Sequence, residues 1–241
     1  MTVVRRFADA DALAEAAAKA VAKASGRALA AHGAFVVALS GGATPRATYE
    51  RLAAPAWRDR VDWSRAVVLF GDERCVPRDA PDSNAGMART ALLDRLPPGR
   101  APRVVTADGT LPPGEAARRY QDAVAGALGV DPEGPPPAID LVLLGLGADG
   151  HTASLFPGSP ALDEQVAWFA PARAPVAPFD RVTATPPLLA AAREVLFLVG
   201  GRGKKAALDA SLDPGRTPGT PAGRVAARQG VSWLIEREAV T

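Results

Sequence analysis

The sequence predicts an α/β protein built on an open, mainly parallel sheet with helices on both faces. Short apolar segments bounded by turn residues alternate along the chain with helical patterns, which is typical of parallel strands joined by right-handed crossovers. The strand segments are apolar along most of their length, as expected for strands that are buried on both faces. The chain has 241 residues, of which 48% are hydrophobic, and can therefore bury a sizeable core.

The predicted elements follow one another without an internal repeat or a break in composition, so we expect a single domain spanning residues 1–241. An alanine-rich amphipathic helix is predicted over 9–31, ending near Gly33. A proline-rich stretch, 131–138, is predicted to be a rigid connector. The predicted strands cover 34–40, 66–73, 139–144, 194–201 and 231–236. The other helical patterns cover 46–54, 83–96, 115–128 and 203–212.

Charge and cysteine content exclude several classes of partner. Lysine and arginine number 28 against 26 acidic residues, a net charge of +2, and the densest basic segment, 201–205, is too short for a nucleic-acid patch. Cys75 is the single cysteine, which excludes an intrachain disulfide and favours a reducing compartment. Acids at Asp9, Asp11 and Glu15 lie where a signal peptide needs an apolar core. We expect a cytoplasmic protein that binds neither nucleic acid nor membrane.

The most informative segment runs from residue 139 to 157. Its first part is apolar apart from Asp140 and ends in a glycine-rich turn that carries Asp149 and His151. Ligand sites of open α/β sheets lie beyond the carboxyl ends of the strands, and an imidazole two residues from a carboxylate is a candidate general base. The alternative is a turn histidine that caps backbone groups.

The same turn matches a bare G-x-G-x-x-G pattern through Gly145, Gly147 and Gly150. A dinucleotide site requires that this pattern open a helix, whereas helix-breaking residues follow at once, including Pro157 and Pro160. We therefore reject the dinucleotide interpretation.

A second candidate is the glycine-rich turn from Ser40 to Pro45, SGGATP, between a predicted strand and a helix. Glycines let backbone N–H groups approach an anion, and the N-terminus of a helix favours phosphate. Thr44 is the predicted N-cap and Pro45 the predicted first helical residue. The alternative is a tight, well-capped turn without a ligand.

Charged residues follow two other predicted strands. Gly71-Asp72-Glu73-Arg74 comes directly after a buried strand, where either substrate-facing groups or a solvated loop would fit. Ser83 or Asn84 is predicted to cap the next helix. Arg181 and Lys204 could complete an anion site, although surface charge is the usual role of these residue types.

Several other chemistries find no support in the sequence. No G-x-S-x-G nucleophile elbow occurs, and two histidines and one cysteine are too few and too far apart for a catalytic zinc cluster. We expect no metal and no organic cofactor, no role for Cys75, and a structural or solvated His32. A general base that activates water remains.

Together these segments resemble the 6-phosphogluconolactonase family, within the group that includes glucosamine-6-phosphate isomerase/deaminase. The resemblance covers nearly the whole chain, in order, through residues 38–52, 71–87, 145–158, 180–208 and 231–239. It implies a three-layer, Rossmann-like fold and hydrolysis of 6-phospho-D-glucono-1,5-lactone to 6-phospho-D-gluconate in the oxidative pentose phosphate pathway.

The resemblance also implies a role for each candidate residue. His151 would deprotonate the attacking water and Asp149 would orient its ring, while Arg74 would stabilise carboxylate or oxyanion charge and Asp72 would contact sugar hydroxyls. The phosphate would be held by Ser40, Gly41, Gly42, Thr44, Arg181 and Lys204. The family often has Asp where this chain has Glu236, which we expect to be structural.

Two alternatives to the lactonase remain open at this point. Deaminases of the group carry a glutamate five residues after the motif histidine, where this chain has Phe156, and this difference favours the lactonase. A non-catalytic sugar-phosphate sensor would keep the fold and bind without hydrolysis. We expect a monomer or a small homo-oligomer that acts on a small sugar-phosphate lactone.

Overall fold

The structure, a computed structural model, describes residues 2–213, 215 and 219–240. These residues form ten strands, most of them short. In chain order they are β1 (Thr2–Phe7), β2 (Phe35–Leu39), β3 (Ala66–Phe70), β4 (Asp72–Arg74), β5 (Arg103–Val104), β6 (Leu141–Leu144), β7 (Phe169–Arg173), β8 (Asp180–Ala184), β9 (Glu194–Val199) and β10 (Gly230–Glu236).

Seven α-helices lie in the same described ranges. They are α1 (Ala10–His32), α2 (Ala43–Ala53), α3 (Pro55–Arg58), α4 (Asn84–Ala91), α5 (Pro113–Leu128), α6 (Pro186–Ala191) and α7 (Lys205–Leu212). Short 3-10 turns occur at Trp63–Arg65, Leu93–Arg95, Pro160–Leu162, Ala222–Arg224 and Arg237–Val240. Among these helices, none is both long and apolar enough to cross a membrane.

The main sheet has seven strands in the order β1-β10-β9-β6-β2-β3-β5, and every pair in it is parallel. Alternate residues of β2 face different cores: Val36 and Ala38 pack into the cluster that includes α5, α6 and α7, whereas Val37 and Leu39 pack into the cluster that includes α1, α2 and α4. Burial of both faces explains the apolar strands, and the predicted three-layer α/β fold is confirmed.

The sequence pattern predicted the first helix well because its ends carry clear local signals. The Asp9 side chain accepts a hydrogen bond from the N–H of Ala12 at 2.8 Å, and Gly33 closes the helix at a φ of 81°. Residues 131–138, predicted to be a connector, lie outside any helix or strand. By contrast, β1 was not predicted, because it is an exposed edge strand that carries Arg5 and Arg6 and lacks the apolar pattern of a buried strand.

The predicted strand 66–73 is wrong in its second half. The chain leaves the main sheet at Gly71, whose N–H still donates to Leu39 O at 2.8 Å, and Asp72–Arg74 then pairs with β8. This separate antiparallel sheet has the order β4-β8-β7 and was not predicted. Its strands are short, and one of them carries three consecutive charged residues that match no strand pattern.

At the amino edge of the main sheet, Asp140 connects three elements. Asp140, 4% exposed, accepts a hydrogen bond from Val36 N–H at 2.8 Å and lies 2.9 Å from Nε2 of His32. Arg193 adds an ion pair at 3.1 Å. His32 therefore has a structural contact, at the end of the sheet opposite the glycine-rich turns.

Two buried tyrosines satisfy the backbone where the central strands end. The Tyr49 hydroxyl accepts from Ser40 N–H and donates to Ser40 C=O, both at 2.8 Å. The Tyr120 hydroxyl does the same for Phe70, at 2.6 Å and 3.1 Å. Burial raises the pKa of both tyrosines, so both hydroxyls stay protonated and keep their donor.

Tyr49→Phe is expected to lower the free energy of unfolding by about 2–4 kcal/mol, because a buried N–H and a buried C=O of Ser40 both lose their partner. Urea denaturation at neutral pH measures the loss. Tyr120→Phe is the matched variant and should show a loss of similar size. A Tyr49→Phe protein as stable as the wild type would show that these backbone groups find other partners.

Candidate active site

A cavity of about 350 Å³ lies at the carboxyl edge of the main sheet. Its walls come from the turns that follow β2, β6 and β9, together with β4 and the start of α4. The lining residues are Ser40, Gly41, Gly42, Ala43, Thr44, Pro45, Asp72, Arg74, Asn84, Gly145, Leu146, Gly147, His151, Ala153, Leu198, Gly200 and Lys204. The structure thus brings together eight of the ten predicted site residues; Asp149 and Arg181 lie outside the lining.

The turn after β2 places the N-terminus of α2 at the cavity wall. The helix begins at Ala43, its N-cap is Gly42, and no side chain caps it. Thr44 and Pro45 are therefore the second and third helical residues, and the predicted Thr44 cap is wrong. Gly42 has a φ of 105°, in the region that favours glycine, and this lets the helix start earlier than the capping pattern indicated. In the part of the chain that the structure describes, no side chain caps the first N–H groups of α2, and such groups favour an anion.

The two residues before this cap are also adapted to the cavity. The Ser40 hydroxyl is buried and has no hydrogen-bond partner among the residues that the structure describes. A Cβ on Gly41 would lie 1.9 Å from Oδ1 of Asn84, so only glycine lets the turn pack against this amide. Ser40 is therefore free to bond a ligand, and the glycine pair is explained by close packing at one position and backbone conformation at the other.

His151 and Asp149 form a hydrogen-bonded pair on the turn after β6. Nδ1 of His151 lies 2.6 Å from Oδ1 of Asp149, and the same oxygen accepts from the backbone N–H of His151 at 3.1 Å. A Cβ on Gly147 would lie 2.1 Å from Nδ1, so glycine is required for the ring to occupy this position. In the described chain the turn opens no helix, as the helix-breaking residues after it predicted.

The pKa of Asp149 lies below its usual value. Partial burial raises it, but the hydrogen bonds from the backbone N–H and the ring of His151, with the charge of that ring, outweigh the burial. The carboxylate is thus ionised at neutral pH and can accept the Nδ1 proton, which leaves Nε2 of His151 to face a ligand. Among the described residues, no protein atom hydrogen-bonds this Nε2.

Asp72 lines the cavity and is held by two neighbours that the sequence reasoning missed as site residues. Its Oδ2 accepts from the Ser154 hydroxyl at 2.8 Å. Asn84 donates from Nδ2 to Asp72 O at 2.9 Å. The sequence pattern indicates Asn84 only as a helix cap and gives no signal for Ser154, because the partners of both residues are remote in sequence.

Glu73 does not line the cavity, and its carboxylate caps the N-terminus of α4. Its carboxylate accepts the N–H of Asn84 at 2.7 Å and of Ala85 at 2.8 Å, and the Ser83 hydroxyl lies 3.3 Å away. Ser83 also caps Gly86 N–H at 3.0 Å, as predicted. Burial raises the pKa of Glu73 although these hydrogen bonds oppose the shift.

Two arginines lie side by side on β4 and β8. Arg74, which lines the cavity, is the register partner of Arg181. Arg181 is 6% exposed, and burial, followed by the charge of Arg74, lowers its pKa. Within the described ranges, Nε of Arg74 and both Nε and Nη1 of Arg181 have no hydrogen-bond partner. Arg181 is thus adjacent to the cavity wall without forming part of it.

The turn after β9 brings in a lysine. Lys204 lines the cavity and immediately precedes α7, as predicted. Glu236, at the end of β10, accepts the N–H of Gly201 at 2.9 Å and so fixes this turn. Its contact is with backbone, in line with the structural role expected for it.

Two further observations concern metal and thiol chemistry. In the described ranges, no three His, Cys, Asp or Glu residues are grouped so that they could hold a metal ion. Burial raises the pKa of Cys75 to about 11, so this residue is a neutral thiol.

The family of the chain follows from its similarity to known proteins. A family model described as glucosamine-6-phosphate isomerases/6-phosphogluconolactonase matches residues 8–233. The chain belongs to this family. The family that the sequence motifs resemble is therefore confirmed. Both activities in the family name concern phosphorylated sugars.

Individual family members agree with this assignment. The chain is 40% identical over 214 residues to a 6-phosphogluconolactonase of Synechocystis sp., covering 88% of this chain and 86% of that protein. It is 36% identical over 239 residues to a 6-phosphogluconolactonase of Mycobacterium tuberculosis, covering 97% and 95%. The solved 6-phosphogluconolactonase of Trypanosoma cruzi superimposes with a TM-score of 0.84 at 30% identity, covering 99% and 95%.

The hydrogen bonds at Asp149 predict its titration. In the wild type its pKa should lie below the ordinary value of about 3.9, and His151→Ala should raise it, because the ring donor is lost while burial remains. Carboxyl-carbon NMR against pH measures both values. An unchanged or lower pKa in the variant would contradict the pairing.

The sign of the effect on stability follows from the same shift. A lowered pKa means that the native state binds fewer protons than the unfolded chain. The contribution of Asp149 to stability is therefore present above its unfolded pKa and is lost as pH falls through the folded pKa. The side chain is 44% exposed, so solvent screening keeps this contribution small.

Proposed function

We propose that this chain is a 6-phosphogluconolactonase, which hydrolyses 6-phospho-D-glucono-1,5-lactone to 6-phospho-D-gluconate in the oxidative pentose phosphate pathway. One observation carries the proposal: a paired histidine and an open helix N-terminus with a lysine line the same cavity. Its volume of about 350 Å³ suits a small polar metabolite such as a sugar phosphate.

The phosphate is assigned to the end of the cavity formed by the β2–α2 turn and Lys204. The uncapped N–H groups of α2, the unpartnered Ser40 hydroxyl and the Lys204 ammonium supply donors and positive charge. Arg181 lies beside Arg74 and outside the lining, so it adds positive charge to the site without touching the phosphate. This end requires Gly41 and Gly42, since any side chain would collide with Asn84 or strain the backbone.

The lactone carbonyl is assigned to the end of the cavity beside His151. With its Nδ1 proton held by Asp149, the neutral ring accepts a proton at Nε2 from a water molecule, and the water oxygen attacks C1. Arg74 stabilises the tetrahedral oxyanion. When the intermediate collapses, the bond from C1 to the ring oxygen breaks, and the proton on Nε2 passes to that oxygen.

Asp72 is assigned to the sugar hydroxyl groups. It is 9% exposed, lines the cavity, and accepts hydrogen bonds from Ser154 and Asn84. A carboxylate oxygen has lone pairs for further hydrogen bonds, and the hydroxyl groups of the lactone are the donors available to it.

The deaminase alternative is disfavoured by Phe156. Its ring lies 4.6 Å from the ring of His151, centre to centre, at the position where deaminases carry a carboxylate. An apolar ring cannot transfer the proton that opening of an amino-sugar ring requires. Hydrolysis of a lactone has no such requirement, because its carbonyl is already electrophilic.

The proposal includes a cytoplasmic location and a small-molecule substrate. The single cysteine supports a reducing compartment. The proposed working unit is a monomer or a small homo-oligomer.

Purified protein is expected to accelerate hydrolysis of freshly prepared 6-phosphogluconolactone well above its spontaneous rate, and His151→Ala should lower kcat by about 10²–10⁴-fold. The rate is followed by acid release, with a metal chelator present. His32→Ala replaces the other histidine, which lies at the opposite edge of the sheet, and is expected to leave kcat unchanged.

Three outcomes would contradict this assignment. Equal kcat in His151→Ala and wild type would exclude His151 as the base. No acceleration by the wild type, combined with tight binding of 6-phosphogluconate, would identify a sensor; ammonia release from glucosamine 6-phosphate would identify a deaminase.

Lys204→Ala is expected to raise KM for the phosphorylated lactone at least tenfold, because a charge-assisted hydrogen bond to phosphate contributes about 1.5–3 kcal/mol. Hydrolysis of unphosphorylated gluconolactone should be unaffected. Lys205→Ala is the matched control, since Lys205 pairs with Asp209 on α7 and does not line the cavity. Equal effects of the two variants would place the phosphate elsewhere.

A further inference from the structure

The turn that follows His151 is strained. Ala153 has a φ of 48°, and it is the single non-glycine residue with positive φ in the described part of the chain. It occupies the second position of a tight turn closed by a hydrogen bond from Leu155 N–H to Thr152 O at 2.9 Å. Glycine usually takes this position, and strained residues of this kind persist where neighbouring contacts hold them.

Ser154 supplies these contacts from the next position. It is 1% exposed, and its backbone N–H donates to Oγ1 of Thr183 at 3.1 Å. Its hydroxyl donates to Oδ2 of Asp72 at 2.8 Å. Asp72 and Thr183 are register partners on β4 and β8, so Ser154 docks the turn onto one cross-strand pair.

The two hydrogen bonds of Ser154 have separable consequences. The backbone bond to Thr183 holds the turn and persists in any variant of the side chain. The hydroxyl bond acts on Asp72, whose other oxygen has, among the described residues, a single long contact of 3.4 Å with Nδ2 of Asn84. Ser154 itself does not line the cavity, whereas Asp72 does.

We propose that Ser154 is a positioning residue, which acts through Asp72 to fix the orientation of the carboxylate toward the sugar hydroxyls. This inference rests on the proposed lactonase function. Without the hydroxyl, Oδ2 of Asp72 loses its short hydrogen bond and the carboxylate can rotate within the cavity wall. Substrate binding then has to order the Asp72 carboxylate first. The free-energy cost of this ordering weakens binding of the ground state and of the transition state equally.

Ser154→Ala is expected to raise KM for 6-phosphogluconolactone about tenfold, with kcat within threefold of wild type. The dissociation constant of 6-phosphogluconate, measured by calorimetry, should rise by a similar factor. Ser25→Ala removes another buried serine hydroxyl, one without a partner in α1, and is expected to change neither constant.

A double-mutant cycle tests whether Ser154 acts through Asp72. In an Asp72→Asn background, Ser154→Ala should change KM less than twofold, because the carboxylate that it orients is already gone. A tenfold effect that persists in this background would overturn the proposal. So would a Ser154→Ala enzyme with a lower melting temperature but wild-type KM, which would indicate a purely structural serine.

The wild-type enzyme separates failure of this inference from failure of the proposed function. If the wild type does not accelerate lactone hydrolysis, the proposed function is wrong. If it does, and Ser154→Ala has the KM and dissociation constant of the wild type, the function stands and the role of Ser154 is refuted.

Discussion

Parallel strands that end together leave backbone N–H and C=O groups without a ladder partner, and the site depends on how these groups are satisfied. In β2 and β3 the solution is a tyrosine hydroxyl that bonds both groups of one residue. Tyr49 comes from α2 on one face of the sheet and Tyr120 from α5 on the other. Because these hydroxyls close the ladder, the residues that follow each strand are free to turn into the cavity.

Two of the helices that begin beside the cavity, α2 and α4, differ in how their N-terminal N–H groups are satisfied. The N-terminus of α4 receives the carboxylate of Glu73 and the hydroxyl of Ser83, so its positive end is already neutralised. The N-terminus of α2 has no side-chain cap. The N-terminal dipole of α4 is thus compensated within the protein, whereas that of α2 is open to an anion, which supports the phosphate position that we propose.

The sequence predicted what depends on local pattern. The apolar strands, with the rule that parallel strands end at one edge, predict that the residues after these strands lie close together. The structure places Ser40, Asp72, His151 and Lys204 in one cavity. The predicted Thr44 cap was wrong because the unusual φ of Gly42, which no capping rule includes, sets the start of α2. Ser154 was not predicted because its partner Asp72 is 82 residues away in sequence. The strands of the small sheet were not predicted because some of their polar residues are placed for the site and interrupt the apolar pattern of a core strand.

The orientation of His151 shows how a half-exposed residue can be held rigidly. Its ring is 32% exposed, yet it is bounded by Asp149 at Nδ1, by the ring of Phe156, and by the backbone of Gly147, where no side chain would fit. These contacts leave Nε2 as the one ring nitrogen without a protein partner in the described chain. A general base needs this combination, since a mobile ring would lose entropy at each turnover and a buried one could not reach water.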